Sequence, residues 1–294
     1  MKAVQARTRI SLKNILFATD FSPAADAAAP FAIQIAQRYG AKLYGVHINP
    51  FDDYTAAAPE AWAAMAEAAE RQTKEHAQRL NKQLKDVEHE VVIGEGNIWE
   101  AMSNVIKQKE IDLIVLGTRG RTGLGKALLG SVAEQILRQA PCPVLTVGPH
   151  VTLQPEKAVK MREILYATDL AADFPAAAPY AISLAQENQA HLALLYVIEI
   201  QKAGELMHPT EIADSKLHKL RQLVPQGAEL WCEPRYLVER GIPAEKILEA
   251  ADRQRADLIV LGAQPANWLA THLNAGTVHK VVSEARCPVL TVHG

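Results

Sequence analysis

The sequence predicts an α/β protein built as two homologous doubly wound domains, each a five-stranded parallel sheet flanked by helices. Three observations predict it: the chain repeats itself, its apolar runs are short and continuous, and helix-length patterned stretches separate those runs. The repeat is direct. Asn14–Ile48 returns at Glu163–Val197, with Asp20 matching Asp169 and Pro30 matching Pro179. Ile111–Gly117 returns at Ala256–Gly262, and CPVLTV at Cys142–Val147 returns at Cys287–Val292. The offset falls from 149 (169 − 20) to 145 (287 − 142), which puts a net deletion in the middle of the second copy. Internal repetition of this kind sets the domain organisation. Domains are expected at residues 1–150 and 158–294, joined by the polar, Pro-containing segment Gly148–Lys160.

In the first copy the expected strands are Ile15–Thr19, Lys42–Ile48, Glu88–Ile93, Leu113–Leu116 and Val144–Val147. The expected helices are Pro23–Tyr39, Pro59–Leu84, Ile98–Lys107 and Ser131–Gln139. Gly40 stands where a helix C-cap belongs. Strands that are apolar throughout and joined by helices imply a parallel sheet covered on both faces, with right-handed crossovers. The Ala-rich helix at Pro59–Leu84 reads as a solvated cover for that sheet. Ligands of such folds sit beyond the carboxyl ends of the strands, where strand order switches, so the loops after strands one and four are where function is expected.

Composition narrows the function classes. Of 294 residues, 49% are hydrophobic and 22% charged, as in an ordinary globular protein rather than a disordered or fibrous one. Lys+Arg 31 against Asp+Glu 33 leaves a net charge of −2 without basic clusters, which argues against a nucleic-acid partner. The first ten residues carry no apolar signal core and no apolar run approaches bilayer length, so neither export nor a membrane association is expected. Three cysteines, Cys142, Cys232 and Cys287, contain no CxxC pair. Neither a disulfide framework nor a zinc site is indicated, and a cytoplasmic location is expected.

The loop after the fourth strand, Gly117–Ser131, holds four internal glycines and two arginines between a buried strand and a helix. Glycines let backbone N–H groups turn inward and approach an anion, and the next helix adds its positive N-terminal end. Phosphate binding is therefore expected. A Walker loop is excluded because Ala127 stands where a hydroxyl must hold magnesium, and a dinucleotide fingerprint because Asp20-Phe21-Ser22-Pro23 follows the first strand. The spacing that fits is G-x2-G-x9-G-[ST], on Gly117, Gly120, Gly130 and Ser131. Together with ATD after the first strand and the CPVLTV ending, it resembles the nucleotide-binding universal stress protein family, in tandem form over almost the whole chain. The resemblance implies ATP, with Mg2+, as the ligand of the first domain. Thr19, Asp20 and Ile48 would line the adenosine end, and Gly117, Gly120, Gly130 and Ser131 the triphosphate. Arg119 and Arg121 add charge-assisted partners for phosphate. The implied role is regulatory binding in a stress response, with slow ATP hydrolysis, self-phosphorylation or a nucleotide-free scaffold as the alternatives.

Other residues carry plainer expectations. Ser131-x-x-Glu134 has the form of a capping box, a role compatible with phosphate contact. Asp20 could cap the helix after Ser22-Pro23 as well as meet a ligand. His47 reads as a packed strand histidine, no histidine has metal-ligand spacing, and no catalytic residue is assigned. Cys142 and Cys287 read as small buried hydrophobes. The second copy keeps Asp169, Val197, Gly262, Gly276 and Thr277 but has lost the loop arginines and carries Pro265, which removes an N–H where the first copy has Gly120. A degenerate second site is expected. Finally, the two CPVLTV segments each end a sheet, and an uncovered edge is a liability. Single-domain members of the family dimerise through this strand, so Val144–Val147 is expected against Val289–Val292 as an intramolecular pseudo-dimer, with a further homodimer left open.

Overall fold

The computed structural model describes residues 10–49, 59–118, 129–152, 161–171, 176–199, 209–225, 232–263 and 276–293. Along the first repeat run β1 (Asn14–Ala18), α1 (Pro23–Tyr39), β2 (Lys42–Asn49), α2 (Pro59–Gln83), β3 (His89–Glu95), α3 (Ile98–Gln108), β4 (Leu113–Gly117), α4 (Ser131–Gln139) and β5 (Val144–Val147). The second repeat supplies β6 (Glu163–Ala167), α5 (Ala178–Asn188), β7 (His191–Glu199), α6 (Pro209–Leu223), β8 (Arg235–Gly241), α7 (Pro243–Gln254), β9 (Leu258–Ala263), α8 (Thr277–Glu284) and β10 (Val289–His293). Strand and helix boundaries in the first repeat agree with the sequence periodicity to within one or two residues.

The chain divides into two compact units, one holding β1–β4 with α1–α4 and the other β5–β10 with α5–α8. In the first unit the strands lie in the order β3-β2-β1-β4, all parallel, with Ala18 opposite both Val46 and Leu116. The chain steps from β1 through β2 to β3 on one side, then returns to place β4 on the other side of β1. That reversal is the switch point of a doubly wound sheet. Helices cover it with small and aliphatic residues: α1 buries Ala25, Ala28, Ala29, Phe31, Ala32, Ile35 and Ala36 at helical spacing. Gly40 closes that helix in the left-handed region at φ 62, the role its position predicted. Beneath α2, Leu80 and Leu84 reach so close to Gly45 of β2 that a Cβ there would lie 2.7 Å from Leu84 Cδ1. This helix is therefore an anchored cover, buried at Leu80 and largely exposed elsewhere along its described side chains.

The second unit repeats the plan as β10-β9-β6-β7-β8, again parallel, and adds β5 antiparallel to β10. The two CPVLTV strands meet as their edges required, Val289 opposite Thr146, Leu290 opposite Leu145 and Thr291 opposite Val144. Leu145 and Leu290 are equivalent positions of the two repeats, so the strand pair has a local two-fold through its centre. Although β5 ends the first repeat in sequence, its contacts group it with the second. One aspartate in each repeat ties a strand start to the strand beside it. Asp112 Oδ2 accepts from the N–H groups of Lys13 (2.7 Å) and Asn14 (3.0 Å), and Asp257 Oδ2 accepts from those of Arg162 (2.8 Å) and Glu163 (3.1 Å).

Candidate functional site

At the switch point the carboxyl ends of β2, β1 and β4 lie side by side, and the turn after β1 carries the acidic residue singled out in the sequence. Thr19 donates its N–H to the Val46 carbonyl at 3.0 Å, which extends the β1–β2 ladder by one residue before the chain leaves the sheet. The Thr19 hydroxyl then accepts from the Phe21 N–H (2.9 Å), and Asp20 Oδ1 accepts from the Ser22 N–H (3.0 Å). Such short side-chain-to-backbone bonds favour Thr and Asp in turns. Phe21 adopts φ 61, a left-handed conformation uncommon for a residue with a Cβ. Ser22 is the N-cap of α1, its hydroxyl accepting from the Ala25 N–H at 3.3 Å. Asp20 therefore shapes the turn that delivers the cap, and the cap itself is Ser22.

The turn is held against β2 by a group of rings. His47 is 4% exposed; its Nδ1 lies 2.7 Å from the Thr19 carbonyl and its Nε2 3.0 Å from Asn49 Oδ1. The Phe21 ring stands 4.7 Å from the His47 ring and 4.5 Å from that of His76 on α2, and the two imidazoles meet edge-on at 4.5 Å. Arg79, also on α2, lies over Phe21 at 4.7 Å and pairs with Asp26 of α1 at 2.8 Å. Three elements thus converge on one turn. The sequence left His47 as a packed strand residue and gave no sign of His76, because only the docking of α2 brings the imidazoles together.

On the β4 side, Gly117 ends the strand directly beneath the first turn of α1. A Cβ there would lie 2.5 Å from the Ala24 carbonyl carbon and oxygen and 2.8 Å from the Ala25 nitrogen. The glycine is required by that backbone approach, a reason the phosphate motif alone does not supply. Thr118 follows, 2% exposed, and its carbonyl accepts from the Gly130 N–H at 2.9 Å, so the two ends of the intervening loop are tied together. Arg119, Gly120 and Arg121 lie outside the described residues.

Gly130 is the N-cap of α4, with φ −65 and ψ 145, and no side chain caps it among the described residues. The capping-box expectation at Ser131 is corrected here. Ser131 is the first helical residue, one position past the cap, where a side chain cannot turn back onto the N2 or N3 N–H groups. Ser131 is exposed, and among the described residues no side chain bonds the first-turn amides at the positive end of the helix. Of the expected residues, Thr19, Asp20 and Ile48 stand on adjacent strand ends. Gly117, Gly130 and Ser131 complete the other flank through the Thr118–Gly130 tie. Ile48 is 7% exposed and touches β3, since a Cβ on Gly94 would meet its Cδ1 at 2.7 Å.

The second repeat keeps the turn and loses its surroundings. Thr168 donates to the Leu195 carbonyl (3.0 Å), its hydroxyl accepts from the Leu170 N–H (3.1 Å), Asp169 Oδ1 accepts from the Ala171 N–H (3.0 Å), and Leu170 has φ 53. At the position of His47 stands Tyr196, with Lys216 Nζ 4.6 Å above its ring. Among the described residues Gly262 meets the Ala177 Cβ at 4.0 Å; the counterparts of Ala24 and Ala25 lie outside them. Gly276 caps α8 without a side-chain bond among the described residues, and Thr277 opens the helix. Pro265 lies outside the described residues.

The three cysteines are free and buried. Burial pushes the Cys142 and Cys287 thiols up to about 12, each with help from a nearby carboxylate, Asp112 and Asp257 respectively, and burial pushes Cys232 up to about 11. Cys142 and Cys287 are buried packing groups, as the sequence suggested, and Cys232 is buried as well.

Comparison with known proteins gives this arrangement its relatives. The family model of the universal stress proteins matches residues 11–148 and again 160–293. A universal stress protein of Methanocaldococcus jannaschii is 33% identical over 138 residues, covering 46% of this chain and 81% of its own length. One from Thermus aquaticus is 37% identical over 137 residues, covering 46% of this chain and 98% of its own. Each therefore corresponds to one repeat. A solved universal stress protein of Archaeoglobus fulgidus matches the full arrangement, with a TM-score of 0.68 at 21% identity over 95% of this chain and 98% of its own. Among the described residues no helix is long and apolar enough to cross a membrane. With the family model matching twice along its length, the chain belongs to the universal stress protein family in its tandem two-domain form.

Proposed function

We propose that the first repeat binds ATP, carried with Mg2+, and that the chain acts in the cytoplasm as a regulatory binding protein in a stress response rather than as a metabolic enzyme. One observation supports this most directly. Among the described residues the α4 N-terminus has no side-chain cap, at the same switch point where the Thr19-Asp20 turn and Ile48 end their strands. A helix end in that condition offers backbone N–H groups and half a positive charge to an anion. The Asp20 carboxylate, across the strand ends, suits the hydroxyls of a sugar. The adenosine end of the ligand would then lie along Thr19, Asp20 and Ile48. Its phosphates would lie toward Gly117, Gly120, Gly130 and Ser131, with Arg119 and Arg121 as cationic partners. Free buried thiols fit a reducing compartment.

The test is an ATP titration by calorimetry on the purified chain, together with identification of any nucleotide released by heat. Replacing Gly120 with Val puts a branched side chain where phosphate would approach, and should remove most of the affinity while the fold survives. Unchanged affinity in the folded variant would take the site away from this loop, and phosphate release over hours would move the protein toward the enzymes.

A further inference from the structure

We propose that His47 is a positioning residue of the candidate site: its Nδ1–H holds the Thr19 carbonyl and so fixes the turn that presents Asp20 to a nucleotide. The inference rests on the nucleotide reading above for its functional half, and on the geometry alone for the positioning half. Thr19 is gripped by β2 on both sides, its N–H by the Val46 carbonyl at 3.0 Å and its own carbonyl by the His47 imidazole at 2.7 Å. The second grip comes from a side chain, because the backbone turns out of the sheet here and a ladder bond no longer directs it. A carbonyl only accepts, so Nδ1 carries the proton. At Nε2 the Asn49 amide, 3.0 Å away, can present an N–H to a neutral ring or an oxygen to a charged one. The grip on Thr19 therefore does not depend on the ring's protonation state.

What makes the grip consequential is the conformation it restrains. Phe21 sits at φ 61, an uncommon conformation for a residue with a Cβ, and its surroundings restrain it further. Those surroundings are the His47 ring below, His76 beside it and Arg79 above, the last paired with Asp26. Freeing the Thr19 carbonyl would loosen one end of the Thr19–Phe21 segment, and with it the Asp20 carboxylate two bonds of turn away from the N-cap Ser22. The second repeat forms the same turn, with Leu170 at φ 53, and has Tyr196 at this position, so the turn's own bonds build it and what His47 adds in the first repeat is the hold on the Thr19 carbonyl.

The deciding comparison is His47→Asn against His47→Leu in the full chain. An Asn amide can place an N–H near the Nδ1 position, whereas Leu fills the space and donates nothing. ATP affinity should fall about tenfold in the Leu variant and stay within about threefold in the Asn variant, the loss expected of one buried hydrogen bond. Backbone amide NMR shifts of Phe21 and Ser22 in the nucleotide-free protein should move in the Leu variant and stay near the parent's in the Asn variant. Equal affinities and shifts in all three proteins would overturn the proposal. So would equal losses in both variants, which would assign the effect to the shape of the ring. If the parent chain binds no ATP, the nucleotide reading fails by itself, and the amide shifts still decide whether His47 sets the turn.

Discussion

A side chain at Gly117 would collide with the backbone of Ala24 and Ala25, atoms that belong to the first turn of α1 and cannot swing aside. Gly117→Ala should therefore destabilise the protein by roughly 1–3 kcal/mol, the usual range for overpacking. Urea titration of this variant checks this, and an unchanged midpoint would refute it. The glycine motif was legible in the sequence; its packing reason was not, because α1 approaches β4 only in the folded sheet. The buried thiols give a second expectation. Cys142 and Cys287 titrate near 12 in the fold, against an ordinary 9.0 in the unfolded chain, because burial disfavours the thiolate. The unfolded chain therefore releases these protons first. Their contribution to stability is whole below about pH 9 and is lost as the pH rises toward 12. A variant with both cysteines changed to Ala should lose stability less steeply over that interval in thermal melts, and parallel curves would show the expectation to be wrong.

The pair of β5 and β10 shows how equal sequences can take unequal positions. Both strands read VLTV, and they face each other across a local two-fold at Leu145 and Leu290. Yet Thr146 donates its hydroxyl to the Val289 carbonyl at 3.1 Å, while the Thr291 hydroxyl is buried with no hydrogen-bond partner among the described residues. Thr146→Val should cost on the order of 1 kcal/mol, and Thr291→Val should be neutral or stabilising, since it removes an unsatisfied polar group. Equal changes in the two denaturation midpoints would contradict the asymmetry. That the strands would meet was readable from their shared edge problem. The unequal hydroxyls were not, because they depend on how the two strands are seated against each other in the fold. α4 teaches a similar lesson. Its Ser-x-x-Glu spacing suggested a cap at Ser131, but the chain leaves the loop one residue earlier, at Gly130, and the hydroxyl that would have closed the helix end is left exposed.

The two repeats differ in what surrounds the same turn, and that difference sets the expected stoichiometry. The first repeat has His47, Phe21 and His76 about its Asp20 turn and the glycine-arginine loop after β4. The second has Tyr196 beside its Asp169 turn, no loop arginine and a proline in the loop. Full-length protein should bind one ATP per chain in a calorimetric titration. Two equivalents would show that the second repeat binds after all.

By itself the sequence determined the family, the tandem organisation and nearly every boundary of the first repeat. Short apolar strands, helical spacing and a long internal repeat are properties of local sequence, and each is set by residues close together in the chain. It also pointed to the strand ends at which a site is proposed, since ligand position in a doubly wound sheet follows from strand order. The tertiary structure alone decided that β5 groups with the second repeat, that Gly117 is a packing requirement, and that His47 and His76 meet over Phe21. Each of these depends on where one element lies against another, and the energies that select such contacts come from residues far apart in sequence, where no periodicity records them.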